Sequence, residues 1–355
     1  MVKRTIFGVE RDIDIGDDVF PSPEEFAALE APMGEHTHGW FDSCIDGAKL
    51  HYREFIPKGG KPDAIVVFIN GVTSHSGEIF VKKNGQKTSV GLLIDTFNGA
   101  NIALYSHDNY GHGYSEGDRF YIPSYESNLQ DYLKFIKMVG DKNKGELPVY
   151  IMGISYGGTL TLHAARKIQD DPSLGPKKFS GCILACPAII GDLPPFPVYQ
   201  ILRYILAPLF PKWTPFFMPN PISPDRIWSD PEVLEMHRNP RMTEMRLAGE
   251  GEPFRLGTAL SLVVSLDEAR FKVIPGFNVP FYLMHGTEDH GVKIEGSEYM
   301  WSTVDTPIDS REFVHVEGGF HDLFSLPESY DLMEGVVKWM KKSNYGTSTD
   351  NTVMT

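Results

Sequence analysis

The sequence contains little of what secreted or membrane-spanning proteins depend on. Its 355 residues include only three cysteines, Cys44, Cys182 and Cys186, too few for a disulfide framework. No apolar run reaches the ~18 residues that a membrane span needs. Residues 1–12 lack the apolar core of a secretory signal. We therefore expect a cytoplasmic protein that touches membranes only at its periphery.

Positive charge is also scarce. Against 33 Lys and Arg residues stand 47 Asp and Glu, which gives a formal net charge of −14, and no basic block stands out. Binding along a nucleic-acid backbone is therefore not expected, and a neutral or lipid-like small molecule is the expected partner. Among the 12 histidines no pair has metal-ligand spacing on an evident shared face, so we expect no metal and no cofactor. The oligomeric state stays open.

Continuous apolar runs alternate with helical patterns along most of the chain. After a hairpin signal at Asp46-Gly47, the predicted buried strands are Ala64 to Ile69, Asn101 to Ser106, Pro148 to Gly153, Ser180 to Ala188, Pro280 to Met284 and Glu312 to Val316, and helical patterns cover 88–98, 124–139 and 329–342. Strands of this kind, separated by helices, indicate an α/β fold with a mostly parallel central sheet and helices on both faces. Reactive groups in such sheets lie at the carboxyl ends of the strands.

One long segment interrupts this alternation. Residues 191–275 are rich in proline and aromatics, and Val198 to Phe210 is interrupted only by Gln200 and Arg203. A helix that is apolar nearly all round is either buried or contacts something apolar. We interpret 191–275 as an inserted, mainly helical cap whose side chains line an apolar pocket, the candidates being Ile201, Leu202, Ile205 and Phe216; an ordinary packed helical subdomain is the alternative. The remaining predicted units are an N-terminal extension (1–35), the α/β core (36–190 and 276–343) and a disordered tail (344–355).

The run Gly153-Ile154-Ser155-Tyr156-Gly157 carries the most information about chemistry. It follows a predicted strand and precedes a predicted helix, so the serine lies at the apex of a sharp strand–turn–helix. Flanking glycines fit such a turn because side chains there would clash with the neighbouring strand and helix. We predict that Ser155 is a nucleophile; an ordinary turn between a strand and a helix is the alternative.

A nucleophilic serine needs a base and an acid that orients the base. In this strand order both should follow the serine, the acid first. Asp289 comes just after the predicted strand 280–284, with Glu288 as its alternative, whereas Asp267 is interpreted as a surface residue. His321 follows two glycines after the strand 312–316 and is the predicted base, and His315, inside that strand, is interpreted as structural.

Ester cleavage also requires donors for the developing oxyanion. The N–H of Tyr156 lies at the amino end of the helix after the nucleophile, where N–H groups lack intrahelical partners. The second donor should come from the loop after an early strand, and Gly71 lets the chain turn there, which makes the N–H of Val72 the candidate. The alternative is that Asn70-Gly71 forms only a turn.

With these residues in place, the chain from about His38 to Lys342 resembles the monoacylglycerol lipase group of α/β-hydrolases. The matching motifs are Asn70-Gly71-Val72, Ser74-His75-Ser76-Gly77, Asp108 to Gly117, Gly153 to Gly157, His285 to Asp289, and Gly319-Phe320-His321. The resemblance implies an α/β-hydrolase fold with Ser155, Asp289 and His321 as the triad and Val72 and Tyr156 as oxyanion donors. It further implies a structural role for Gly111-His112-Gly113 and an apolar cap that contacts membranes.

Two departures from the family pattern bear on specificity. Asn70 stands where the family usually has histidine, and Ser74 and Glu78 stand where the best-known lipases have a glutamate and an arginine. The expected function is hydrolysis of single fatty-acyl esters of the monoacylglycerol or lysophospholipid type through an acyl-enzyme. An acyltransferase that uses the same acyl-enzyme is the first alternative, and a ligand-binding receptor without turnover is the second.

Overall fold

The chain folds around one eight-stranded sheet, flanked by helices. The structure, a computed structural model, describes residues 2–6, 9–13, 23–191, 194–215, 222–238, 247, 249 and 253–345. The strands are β1 (Val2–Ile6), β2 (Val9–Ile13), β3 (Thr37–Asp42), β4 (Lys49–Phe55), β5 (Ala64–Ile69), β6 (Ile102–His107), β7 (Val149–Ile154), β8 (Phe179–Ala185), β9 (Phe281–Gly286) and β10 (Arg311–Val316). The helices of the core are α1 (Pro23–Glu30), α2 (Ser89–Gly99), α3 (Tyr125–Lys142), α4 (Tyr156–Asp170), α10 (Ile294–Thr303) and α11 (Ser329–Tyr345).

The sheet order is β10-β9-β8-β7-β5-β6-β4-β3, and β1 and β2 form a separate antiparallel pair. Strand β4 runs antiparallel to both β3 and β6, and strands β5 to β10 all pair in parallel with one another. Asp46 and Gly47 both have positive φ, as the predicted hairpin turn requires. The predicted α/β fold is confirmed, with strand boundaries within about three residues of those expected from the sequence.

The side chains along each strand point alternately to the two faces of the sheet, which explains why helices cover both faces. In β5, Ile65, Val67 and Ile69 pack into a core with helices α3 and α4. Val66 and Phe68 point to the opposite face and pack with α2 and α11. Successive side chains of a strand point to opposite faces, so a strand that is apolar at every position needs a helix layer on each side.

Residues between β8 and β9 add helices but no described strand. These are α5 (Val198–Ile201), a π-helix (Leu202–Leu206), α6 (Ala207–Leu209), α7 (Pro224–Ile227), α8 (Pro231–His237), α9 (Leu256–Glu268) and a second π-helix (Ala269–Val273). Phe216, one of the predicted pocket residues, lies outside the described residues. Within the described ranges, no helix is both long and apolar enough to serve as a membrane span.

Polar contacts join this helical segment to the core near the carboxyl ends of the strands. The Lys82 ammonium lies 2.8 Å from the Asp230 carboxylate at the start of α8, and Arg226 Nε donates to the carbonyl of His290 at 2.7 Å. The Asp322 N–H donates to the carbonyl of Ile227 at 3.0 Å. These bonds place α7 and α8 over the edge of the sheet where β7 and β9 end.

Candidate active site

Ser155 lies between β7 and α4 with a backbone conformation that few non-glycine residues adopt. Its φ of 56° and ψ of −124° fall outside the regions allowed without strain. A Cβ on Gly153 would lie 2.2 Å from the carbonyl oxygen of Gly157, and a Cβ on Gly157 would lie 2.1 Å from the carbonyl oxygen of Ile69. Only glycine fits these two positions, so the sharp turn that presents Ser155 depends on both.

Asp289 and His321 come together although 32 positions separate them in the chain. His321 Nδ1 lies 2.7 Å from Asp289 Oδ2, and both side chains are almost fully buried. The other carboxylate oxygen of Asp289 accepts the backbone N–H groups of Gly291 and Val292, each at 2.8 Å. Since Nδ1 of His321 is directed at the carboxylate, the ring presents Nε2 on its opposite side.

A second histidine, His285 at the end of β9, also contacts Asp289. Its Nε2 lies 3.1 Å from Asp289 Oδ2 and 3.4 Å from the carbonyl of Val292, and its Nδ1 lies 2.7 Å from the hydroxyl of buried Ser297. Because both neighbours of Nε2 are acceptors, Nε2 carries the proton and Nδ1 accepts from Ser297. His285 was not predicted to contribute to the site, although a histidine at a strand end, four residues before Asp289, could have indicated this contact.

These contacts determine the charge of Asp289. Burial opposes its ionisation, but His321, the hydrogen bond from His285 and the N–H of Val292 outweigh burial and hold the pKa of the carboxyl well below its usual range. An ionised Asp289 can orient the His321 ring and stabilise it when it becomes protonated.

The loop after β5 passes directly beside Ser155. A Cβ on Gly71 would lie 4.0 Å from the Ser155 Cβ, and Val72 lines the same cleft as the serine. Asn70 anchors the loop, since its side-chain amide donates to the carbonyl of His107 at 2.7 Å and to the hydroxyl of Ser106 at 3.1 Å. Asparagine thus ties this loop to β6 by its own hydrogen bonds. Tyr156 is the first residue of α4, so its N–H has no acceptor within the helix.

A cleft opens to solvent at Ser155 and His321. The residues of the helical segment that line it are Ile222, Ile227 and Trp228. Of the predicted pocket residues that are described, Ile201, Leu202 and Ile205 are not among its lining residues. Ile201 and Ile205 are exposed, and Leu202 lines a separate apolar cavity with Leu256 and Val263. The contribution of the helical segment to the apolar lining therefore comes from α7 and its flanks, beside core residues such as Phe68 and Phe324.

One end of the cleft is polar. Ser74, Glu78 and Ser89 line it, and the Glu78 carboxylate accepts hydrogen bonds from both serine hydroxyls, that of Ser89 at 2.8 Å. Glu78 and Ser74 occupy the two positions at which the sequence departs from the pattern of the best-known lipases. The sequence does not predict that Ser89 lines the cleft, because this residue begins α2 and lies at the cleft only in the folded structure.

The Asp108 to Gly117 motif forms the support of the neighbouring loop. Asp108 is fully buried and accepts hydrogen bonds from the N–H and hydroxyl of Ser76 at 2.7 and 2.6 Å and from the N–H of Tyr114 at 2.9 Å. Gly111 and Gly113 have positive φ, and a Cβ on Gly113 would lie 2.3 Å from the Asp108 carboxylate. The two glycines therefore let the chain wrap closely around Asp108, in keeping with the structural role implied by the resemblance.

Cys186 lies beside the Asp289–His321 pair. Its thiol and the ligand atoms of those two residues lie within 4.8 Å of one another, an arrangement that could in principle hold a metal ion. Burial raises the pKa of the Cys186 thiol far above its usual range, and Asp289 raises it further. The thiol therefore stays protonated and packs as a small apolar group, as predicted for Cys182 and Cys186.

Two residues for which the sequence predicted no catalytic role, His315 and Asp267, lie away from the cleft. His315 is exposed on β10, so it is not a core histidine, and its ring packs against Phe313. Asp267 is half-exposed and pairs with Arg203 at 2.7 Å, which links α9 to the first π-helix. Neither residue lines the cleft at Ser155.

Comparison with known proteins places these observations in a family. The sequence model of the family described as "Serine aminopeptidase, S33" matches residues 60–328. This range covers β5 to the residues after His321, and so includes every element that lines the cleft.

Similar sequences include a monoglyceride lipase of an animal and a monoglyceride lipase homolog of a virus. A monoglyceride lipase of Rattus norvegicus is 27% identical over 287 residues, covering 80% of this chain and 83% of that protein. A monoglyceride lipase homolog of Monkeypox virus is 25% identical, covering 78% and 87%. An uncharacterized abhydrolase domain-containing protein of Dictyostelium discoideum is 25% identical over 84% of this chain, which spans only 28% of that longer protein.

Solved structures with the same fold include a monoglyceride lipase variant of Saccharomyces cerevisiae in complex with a substrate analog. It has a TM-score of 0.67 and 19% identity, with 86% of this chain and 94% of that chain covered. A monoacylglycerol lipase of Paleococcus ferrophilus has a TM-score of 0.65 and 20% identity, with 83% and 99% covered. At these identities the likeness concerns the fold.

Proposed function

The chain belongs to the serine aminopeptidase S33 family, and from this premise we propose that it hydrolyses single fatty-acyl esters through Ser155, His321 and Asp289. The observation that carries the proposal is the convergence of a strained serine and an aspartate-bound histidine on one cleft with apolar walls. The sequence relatives named monoglyceride lipases support the same substrate class.

In the proposed reaction His321 Nε2 accepts the proton of the Ser155 hydroxyl while the oxygen attacks the ester carbonyl. The N–H groups of Val72 and Tyr156 stabilise the oxyanion that forms. His321 then gives the proton to the leaving alcohol, and the acyl group stays on Ser155 as an ester. Water, deprotonated by His321, releases the fatty acid and restores the serine.

The polar end of the cleft is suited to the leaving alcohol. The Glu78 carboxylate accepts hydrogen bonds, and the hydroxyls of Ser74 and Ser89 already bond to it. Free hydroxyls of an alcohol headgroup can replace these donors and keep the partly buried Glu78 carboxylate hydrogen-bonded. We therefore infer a preference for alcohols with further hydroxyl groups, while the apolar walls at Ile222, Ile227 and Trp228 accommodate the acyl chain.

The segment from Phe196 to Phe210, which we call the exposed apolar segment, supports contact with lipid surfaces. Its most exposed large side chains are Phe196 at 83%, Tyr204 and Leu209 at 66%, and Ile205 and Phe210 at 52%. Contiguous exposed apolar groups of this kind mark sites of contact with proteins or membranes. Because a lipid substrate resides in membranes or micelles, docking of this segment would bring the cleft to the substrate.

Labelling with a fluorophosphonate, together with a substrate panel, tests the proposal. The wild-type protein should be labelled at Ser155 and should hydrolyse monoacylglycerols, lysophospholipids and p-nitrophenyl esters of graded chain length. The Ser155→Ala variant should lose both labelling and turnover. The Ser173→Ala variant, altered at an exposed serine outside the cleft, should keep both.

Other outcomes distinguish the alternatives. Labelling without ester turnover would favour a receptor, and transfer of the acyl group to added glycerol in place of fatty-acid release would favour a transferase. Full activity in Ser155→Ala would refute the mechanism altogether.

A further inference from the structure

A second cluster of chemistry-bearing side chains lies between α1, β3 and β4. Glu30 ends α1, His36 precedes β3, His38 lies within β3, and all three side chains are at most 17% exposed. Glu30 Oε2, one ring nitrogen of His36 and one of His38 all lie within 4.8 Å of one another. None of the three residues lines the cleft at Ser155.

The hydrogen bonds around His38 determine which of its nitrogens carries the proton. Asp108 accepts three donors from Ser76 and Tyr114, so it is ionised, and His51 Nδ1, 2.8 Å from its Oδ2, donates to it. Neutral His51 then presents Nε2 as an acceptor. His38 Nδ1 lies 2.9 Å from that atom and therefore donates. In neutral His38 the remaining nitrogen, Nε2, is consequently a lone-pair donor to a cation.

His36 is oriented in the same manner. Its Nδ1 lies 2.8 Å from the carbonyl oxygen of Gly34, which is an acceptor, so Nδ1 carries a proton. Its Nε2 lies 2.5 Å from Glu30 Oε2, and His38 Nε2 lies 3.9 Å from the same oxygen. Glu30 Oε2, His36 Nε2 and His38 Nε2 thus face a common point. A second proton on His36 would satisfy only its 2.5 Å contact with Glu30 and would leave His38 Nε2 out.

We propose that Glu30, His36 and His38 bind one divalent metal ion, with Zn²⁺ the best match to two imidazoles and one carboxylate. A proton on His36 engages two of the three atoms, whereas a metal ion engages all three. Tetrahedral bonds of about 2.0–2.1 Å place ligand atoms about 3.3 Å apart, between the separations of 2.5 and 3.9 Å found here. A water molecule would complete the coordination.

The groups behind the ligands match those of known zinc sites. The carbonyl of Gly34 and the Asp108–His51 pair receive the outer N–H groups of His36 and His38, an arrangement that fixes the ring orientation of metal-binding histidines. The other oxygen of Glu30 accepts from the Arg53 guanidinium at 2.6 Å, which keeps Oε2 directed at the two histidines.

The ion would fasten the segment before the sheet to the core. Glu30 and His36 belong to the chain before β3, and Asp108 binds both His51 and Ser76, which lies in the loop that follows Val72. The expected role is structural. The sequence did not predict this site, because Glu30 approaches the two histidines only when α1 packs beside β4.

Zinc titration of the full-length, chelator-treated protein tests this proposal. We expect one tightly bound Zn²⁺ per chain by calorimetry and elemental analysis, and a rise in Tm of roughly 3 °C or more at saturating Zn²⁺. Cobalt in the same site should give the visible absorption bands of a tetrahedral centre. His36→Ala and His38→Ala should each lose the stoichiometric ion and the rise in Tm.

The His315→Ala variant, which removes an exposed histidine from β10, is the matched control and should bind zinc like the wild type. Circular dichroism of each variant without metal shows whether it is folded, and His36→Gln provides a second, milder replacement. Absence of a stoichiometric ion in the wild-type protein overturns the proposal. Zinc retained by folded His36→Ala and His38→Ala also overturns it, since the ion would then lie elsewhere, for example at Cys186, Asp289 and His321.

Discussion

The central sheet and the helical segment between β8 and β9 differ in how far their apolar side chains are exposed to solvent. In β5, Ile65 and Val67 are completely buried between two helix layers. In the exposed apolar segment, side chains of the same size such as Ile205 lie open to solvent. The buried layers hold the groups around Ser155 rigidly, whereas the open segment keeps apolar surface available for a partner. Under the proposed function, the first region would carry out the chemistry and the second would meet the lipid substrate.

The largest effect is expected in the first region, at the residues around Ser155. Replacing Asp289 with asparagine should lower kcat by about 10⁴-fold, because the amide cannot stabilise the protonated His321 and favours the wrong tautomer. Binding of substrate should change little, so KM stays within a fewfold of wild type. Steady-state kinetics on a soluble p-nitrophenyl ester measure both constants. The neighbouring Glu288→Gln variant is the control, and a comparable loss there would transfer the acid role to Glu288.

Acidic pH should lower the stability of both the central sheet and the helical segment. Burial lowers the pKa of His107 in the core and of His237 in α8 to about 4. The unfolded chain, with histidine pKa near 6.5, therefore binds protons that the native state does not take up between about pH 6.5 and pH 4. Each histidine contributes stability that is fully present above that window and is lost as the pH falls through it.

At pH 5 the expected loss is about 2 kcal/mol of unfolding free energy for each of these two histidines. Urea unfolding at pH 7 and pH 5 measures it. His237→Gln should flatten the pH dependence, and His315→Ala should leave it unchanged. Equal slopes in all three proteins would show that the buried histidines do not govern acid stability.

A smaller effect is expected from His285, which donates to Asp289. His285→Leu removes one charge-assisted hydrogen bond, so kcat/KM should fall about tenfold. With fewer donors the Asp289 carboxylate becomes more basic and favours protonated His321. The acid limb of the kcat/KM profile should therefore shift to higher pH.

His285→Gln, whose amide can donate in place of Nε2, should restore most of the wild-type profile. If His285 only filled space, its replacement would change the fraction of folded protein and would leave the acid limb of the kcat/KM profile at the same pH. An unshifted limb in folded His285→Leu would therefore remove His285 from the positioning of Asp289.

The smallest effect is predicted for the open region. Ile205→Ser should reduce hydrolysis of a monoacylglycerol embedded in vesicles about fivefold, because it removes apolar area that contacts lipid. Hydrolysis of a soluble short-chain ester should be unchanged. Ile308→Ser, an equally exposed isoleucine outside the segment, is the matched control. Equal losses on both substrates would place Ile205 in the cleft and not at a lipid surface.

Much of the site was predictable because strand ends are marked in the sequence. Ser155 follows β7 directly, Asp289 and His321 lie in the loops just after β9 and β10, and parallel strands bring their carboxyl ends to one edge. The walls of the cleft were not predictable in this way. Ile222, Ile227 and Trp228 stand in a Pro-rich stretch without periodicity. The most apolar stretch, from Val198 to Phe210, exposes large side chains such as Tyr204 and Leu209 to solvent and does not line the cleft.

The local sequence by itself determined the α/β alternation, the sharp turn at Ser155 and the order of its partners, because these follow from side-chain periodicity and from positions where only glycine fits. Only the tertiary structure decided which side chains meet across long separations. The contact of His321 with Asp289, the loop anchored by Asn70 to β6 and the Arg53–Glu30 ion pair are of this kind. Each joins residues from different elements, and their geometry arises only when helices and strands pack against one another.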